Sequence, residues 1–222
     1  MRQIIIAFVF FTACNNNKQA SQQTSTDSST TISQKNSADT TNSYKNIWVD
    51  RLNGEKYSLP DTISGKHVSF YLNNPKVASI AKALYNGKFR PTDNDSTTKL
   101  LSYVITDDNT IRPFYRWCLD FTIAISDGAL GEYPGSPALA YATKFPKEFF
   151  DYMDKDTSGQ RYKQWTEIIA YNGLNDYNKK KSEIEKEIIS KMLLKCPSCE
   201  EEEKKLIKTF AKDISQGIKL QN

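Results

Sequence analysis

IRPFYRWCLDFTIAIS, residues 111–126, is the segment that decides the fold class. Phe114, Tyr115, Trp117, Cys118, Leu119, Phe121, Ile123, Ala124 and Ile125 would cover nearly every side of a helix. A helix that is apolar all round belongs at the centre of a protein, because it has no face to give to water. Pro113 falls in the first turn, where its missing N–H costs nothing. Arg116 and Asp120 stand four apart, so they can pair along the one polar strip. The segment therefore predicts a buried central helix with other helices around it.

The flanking sequence supplies those helices. Upstream, Asn74 is a plausible N-cap and Pro75 suits the first helical position. Val77, Ile80, Ala81 and Leu84 follow at helical spacing, with Gly87 as a stop. Residues 96–105 predict another helix, with Leu100, Leu101, Val104 and Ile105 inward. His67 to Leu72 reads equally as strand or short helix. Ile47 to Leu59 predicts a small hairpin around Asn53-Gly54.

Downstream, prolines open two short helices, Pro137 to Thr143 and Pro146 to Met153. A third is expected from Gly159 to Asn172, with Tyr162, Trp165, Ile168 and Ile169 inward and Gly173 as its stop. Two long helices close the chain. One carries Ile184, Ile188, Met192 and Leu193; the other carries Leu206, Ile207, Phe210 and Ile214. The fold class expected is mainly α: an irregular multi-helix domain with a small N-terminal β-hairpin and a C-terminal helical hairpin.

The first residues have a different character. IIIAFVFFTACNNN, residues 4–17, is an apolar run that ends abruptly at Cys14. It is shorter than the ~20 residues a membrane-spanning helix needs. Arg2, a short apolar core and small residues at its end describe a secretory signal peptide. Phe11-Thr12-Ala13-Cys14 resembles a bacterial lipoprotein lipobox, with Phe11 where that family has Leu. The resemblance covers the first 14 residues. It implies removal of residues 1–13 and lipidation of Cys14 with palmitate-type acyl chains. Two or more such chains hold a protein firmly to a membrane. Its location would be the bacterial cell envelope, expected at the periplasmic face of the outer membrane. Asn15 to Lys18 shows no acidic surface-export signal.

From Asn15 to Ser43 the chain is mostly Ser, Thr, Asn and Gln, with Ile32 its one large aliphatic residue. Such composition cannot offset its ordering entropy by burial. Residues 14–44 are thus expected to be a lipidated cysteine and a disordered tether, spanning roughly 30 Å as a flexible coil. Residues 45–222 form the globular domain, large enough for a real core. The net charge is +4 with the signs interspersed, so no basic stripe points to nucleic acid.

Chemistry-bearing residues are sparse. Cys196-Pro-Ser-Cys199 lies between the last two helices. In an oxidising compartment these thiols would pair. Ser198 as N-cap with Glu201 three later would place the turn inside the motif. The sharper alternative is redox chemistry, with Cys196 as the N-cap and both sulfurs in one helical turn. Glu200 to Glu203 oppose a thiolate there, and no βαβ pattern surrounds the motif. Cys118 reads as a buried free thiol. His67, the only imidazole, sits in no nucleophile setting. The Gly/Pro-rich loop 126–137 carries Asp127, Glu132 and Tyr133, a candidate ligand loop able in principle to grip or cleave a glycan. No phosphate-binding loop or metal-ligand cluster appears, and neither cofactor nor metal is expected.

The functional expectation is a non-enzymatic, membrane-anchored module that binds another protein, as a toxin-neutralising or accessory subunit. The alternatives are a glycan-directed domain acting through loop 126–137 and a redox protein using Cys196 and Cys199.

Overall fold

The computed structural model describes residues 46–174 and 179–218. The signal segment 1–13, Cys14 and the tether 15–44 lie outside the described residues. All described residues fall in one unit, Ser43–Asn222. Their architecture is mainly helical: two small antiparallel hairpins followed by α-helices, the last two packed against each other. No helix among them is long and apolar enough to cross a membrane.

The expected hairpin is present. β1 (Ile47–Val49) pairs antiparallel with β2 (Lys56–Ser58), placing Trp48 opposite Tyr57. The connection is the loop 50–55 rather than a two-residue turn at Asn53-Gly54. Asp50 holds it together: its N–H donates to the Glu55 carbonyl, and its own carbonyl accepts from the Gly54 N–H. A second hairpin, β3 (Thr62–Ile63) with β4 (Lys66–His67), comes next. Ser64 and Gly65 turn it, with φ of 49° and 76°; two positive φ values in a two-residue loop match the strand twist. α1 (Ser69–Leu72) follows directly, so the ambiguous stretch 67–72 is strand end and then helix.

α2 (Ser79–Tyr85) starts four residues later than the sequence implied. Asn74 does not cap it. Its side chain accepts from the Lys76 N–H at 2.9 Å, which closes a local turn before the helix can begin. The stop at Gly87 is as expected. Gly87 has φ 67°; its N–H bonds to the Leu84 carbonyl and the Lys88 N–H to the Ala83 carbonyl. These two bonds form the helix-ending motif that a left-handed glycine makes possible.

α3 (Asp95–Ser102) is capped by Asn94, which accepts from the Thr97 N–H, and continues as a 3₁₀ turn, Tyr103–Ile105. Leu100, Leu101 and Val104 are buried, but Ile105 faces out.

α4 (Arg112–Ala124) is the central helix, in contact with α2, α3 and α7. Its aromatic stripe Phe114, Trp117 and Phe121 meets the N-terminal elements. Phe114 stacks on Tyr71 at 5.2 Å between ring centres, and Phe121 meets Trp48 edge-on at 5.0 Å. Beyond a 3₁₀ turn (Ala129–Glu132) come α5 (Gly135–Lys144), α6 (Pro146–Met153) and α7 (Gln160–Asn172). α5 begins two residues before Pro137. Its first residue, Gly135, meets the end of α7: a Cβ there would lie 2.6 Å from the Ile168 carbonyl oxygen and 2.7 Å from the Gly173 nitrogen. Glycine is required by that approach.

α8 (Lys181–Leu194) and α9 (Glu201–Gly217) form the C-terminal hairpin. Ile184, Ile188 and Met192 on one, and Ile207, Phe210 and Ile214 on the other, are buried. Leu206 is exposed instead, because the buried face of α9 runs through Ala211. Phe210 touches Phe149 of α6 at 4.9 Å between centres, tying the hairpin to the body.

Candidate functional site

The polar strip of α4 is buried, and its charges do not pair with each other. Arg116 is 4% exposed and Arg112 is 6% exposed. Arg112 donates from Nε and Nη2 to Glu148 Oε2 at 2.9 and 2.7 Å. Arg116 donates from Nη1 to Glu148 Oε1 at 3.0 Å and to Tyr141 Oη at 2.9 Å, and from Nη2 to Ser64 Oγ at 2.9 Å. Asp120 accepts instead from Trp165 Nε1 at 2.8 Å. The Arg116–Asp120 pair expected from the spacing is therefore replaced. α5, α6 and α7 cover the strip, and a buried charge must take whatever partner the facing helices bring. The cluster, in which Glu148 is half-buried, fastens α4, α6 and the Ser64 turn together.

Of Asp127, Glu132 and Tyr133, Asp127 lines the pocket found beside this loop. Asp127 is exposed and lies 3.5 Å from Arg90 Nη2. It lines a shallow pocket of about 420 Å³ with Gln164, Glu167 and Tyr171. Glu132 and Tyr133 are not among the residues that line it. Glu132 is exposed and its carbonyl accepts from Asn172 Nδ2, while Tyr133 packs partly buried against the core. The carboxylate that shares the pocket with Asp127 is Glu167, on α7. Sequence spacing gave no hint of it.

Cys196 and Cys199 form a disulfide with Cα atoms 5.2 Å apart. The Cys199 N–H bonds to the Cys196 carbonyl, so the turn lies inside the motif. The cap, however, is Glu200 with Glu203: the Glu203 carboxylate accepts from the Glu200 N–H at 2.7 Å. Ser198 and Glu201 do not form it. The helix starts two residues later, and both sulfurs precede it rather than sharing its first turn. Glu203 lies close enough to both sulfurs to complete a three-ligand metal set. The sulfurs are bonded to each other and Glu203 is engaged by Lys147 at 3.0 Å, so this set offers no thiolate. Cys118 is fully buried, and burial pushes its thiol well above the ordinary range. His67 is exposed, with Nδ1 2.8 Å from Ser69 Oγ in a local turn.

The remaining feature is the first hairpin. Along β1 the burial alternates: Trp48 is 3% exposed, whereas Ile47 is 58% and Val49 is 48% exposed. Leu52, at the tip, is 68% exposed. Trp48 rivets the strand to Phe121, and Asp50 anchors the loop. Asp50 accepts from Arg90 Nε at 2.6 Å and Nη2 at 2.9 Å, with its side chain wholly buried. These bonds hold its carboxyl below the usual carboxylate range. The outer side of β1 borders a bay of about 470 Å³, walled by Leu72, Tyr85, Asn86 and Gly87. Asn46 reaches Tyr85 Oη at one end, and Arg51 donates to the Gly87 carbonyl at the other.

No family model, curated protein or solved structure matches this chain.

Proposed function

We propose that this chain is a lipid-anchored envelope protein whose helical domain binds another protein through the outer face of its N-terminal hairpin. The apolar leader, the lipobox-like Phe11-Thr12-Ala13-Cys14 and the polar tether support the anchoring. The observation that carries the binding is the hairpin itself: Ile47 and Val49 on the strand and Leu52 in its loop stand exposed within six residues, on a hairpin fixed from beneath by Trp48 and Asp50. Clustered apolar exposure on a rigid mount marks a contact surface more than scattered exposure does. A tether of roughly 30 Å would present that surface clear of the headgroups. Neutralising a toxin or completing an envelope complex both suit such a module.

The test has two arms. Mass spectrometry of the purified chain should show residues 1–13 removed and acyl chains on Cys14; an intact N-terminus would overturn the anchoring. Chemical cross-linking in envelope fractions should join the chain to one stoichiometric protein, and Ile47→Ser with Val49→Ser and Leu52→Ser should abolish the product. An unchanged cross-linking pattern would overturn the binding.

A second reading concerns glycans. Asp127, Glu167 and the exposed Tyr171 border one pocket, which offers two carboxylates and an aromatic platform to a sugar. Glycan-array binding lost in Asp127→Asn and Glu167→Gln, with the hairpin variant unaffected, would favour it over the first.

A further inference from the structure

The hairpin presents more than apolar side chains. Its bonds to β2 run through alternate residues: the Asn46 carbonyl accepts from the Leu59 N–H at 2.7 Å, and the Asp50 N–H donates to the Glu55 carbonyl at 2.8 Å. In an antiparallel pair, bonded and non-bonded positions alternate. Residues 46, 48 and 50 thus face β2. The N–H and C=O groups of Ile47 and Val49 point off the opposite edge. Among the described residues neither backbone bonds to anything outside the hairpin. Natural free edges are blunted by short strands, lysine, proline or bulges; β1 is three residues long and reads Ile-Trp-Val, with no lysine or proline. Both residues border the bay walled by Leu72, Tyr85 and Gly87.

We infer that the free edge of β1 accepts an extended segment of the partner protein as an added strand. This rests on the protein-binding reading above and specifies how the partner is held. A strand seated ~4.8 Å from β1 would satisfy the two outward donors and two outward acceptors. It would run along the bay and displace the Asn46–Tyr85 and Arg51–Gly87 bonds that cross its two ends. The chemistry of the occupant follows from the face it joins. Ile47 and Val49 call for aliphatic side chains at alternate positions. Arg51, at the end of the edge, donates to the Gly87 carbonyl and has no carboxylate partner among the described residues, so the strand carries an acidic residue. A second copy of the chain fits worse, since it would bring the same basic group to the edge.

Selection of random twelve-residue peptides on the immobilised full chain tests this. Enriched peptides should show alternating aliphatic residues beside an acid. Binding should slow amide exchange at Ile47 and Val49. Val49→Pro removes an outward donor but no bond to β2, so the hairpin survives; it should weaken binding about tenfold. Val49→Thr keeps the donor and should cost much less. Two results overturn strand addition and leave hairpin binding standing: equal losses in both variants, or unchanged exchange at the two amides. No enrichment, or peptides indifferent to the triple serine variant, overturns both.

Discussion

The two hairpins at the ends of the domain use apolar residues in opposite ways. In α8–α9 the stripes Ile184, Ile188, Met192 and Ile207, Phe210, Ile214 are consumed by the core, and the Cys196–Cys199 disulfide closes the turn. In β1–β2 Trp48 goes inward with Tyr57 beside it, while Ile47, Val49 and Leu52 are left to solvent. Both segments would be read as ordinary structure from composition. The difference lies in what each apolar residue touches. A residue spent on the core stabilises the fold, and one held out on a rigid strand is available to something else. The prediction is a domain whose C-terminal half resists unfolding and whose N-terminal edge is energetically spare.

The largest expected effect would come from breaking the closed end. Phe210→Ala removes a fully buried ring from between α9 and α6 and should cost about 3–5 kcal/mol, read by urea unfolding. Glu148→Ala should cost about 2–4 kcal/mol, because Arg112 and Arg116 would keep buried charges with no carboxylate. Replacing Cys196 and Cys199 by serine should cost about 2 kcal/mol, the value the chain-entropy argument gives for so short a loop. At the open end, Ile47→Ser and Val49→Ser should each change stability by only about 0.5 kcal/mol or less. A loss near that of Phe210→Ala would show that these side chains belong to the core, and the contrast would fail.

Acid sharpens the comparison. The Arg90 hydrogen bonds lower the pKa of Asp50 in the folded state. Its contribution is complete above the unfolded value of about 3.9 and is lost as pH falls through the lower folded value. Below about pH 4 the first hairpin should therefore loosen before the helical body. Near-ultraviolet signal from Trp48 and amide exchange in residues 47–58 should change ahead of helical circular dichroism. Simultaneous loss would contradict the anchoring role of Asp50.

Much of the helical plan was legible because it is locally encoded. Pro146 at the first position, Gly87 in the left-handed region and the four-residue spacing of Ile184 and Ile188 act within a turn or two. The failures share a cause: a competing partner further away, or a competing turn close by. Asn74 was captured by Lys76 N–H before it could cap a helix. Arg116 and Asp120 were captured by Glu148 and Trp165. β3 and β4 are two residues each, too short for any alternation, and only Ser64-Gly65 marked them. Of the site, the hairpin was visible in sequence, but its exposure was not. Alternation says that Ile47 and Val49 share a face; only the packing of Trp48 on Phe121 decides that this face looks outward.

The central claim is that β1 has an unpaired outer edge. Residue-resolved hydrogen exchange of the free protein tests it most directly. The amides of Ile47 and Val49 should exchange rapidly while those of Trp48 and Asp50, one residue away, are protected. Equal protection across residues 47–50 would mean the edge is already occupied, and the account would be wrong.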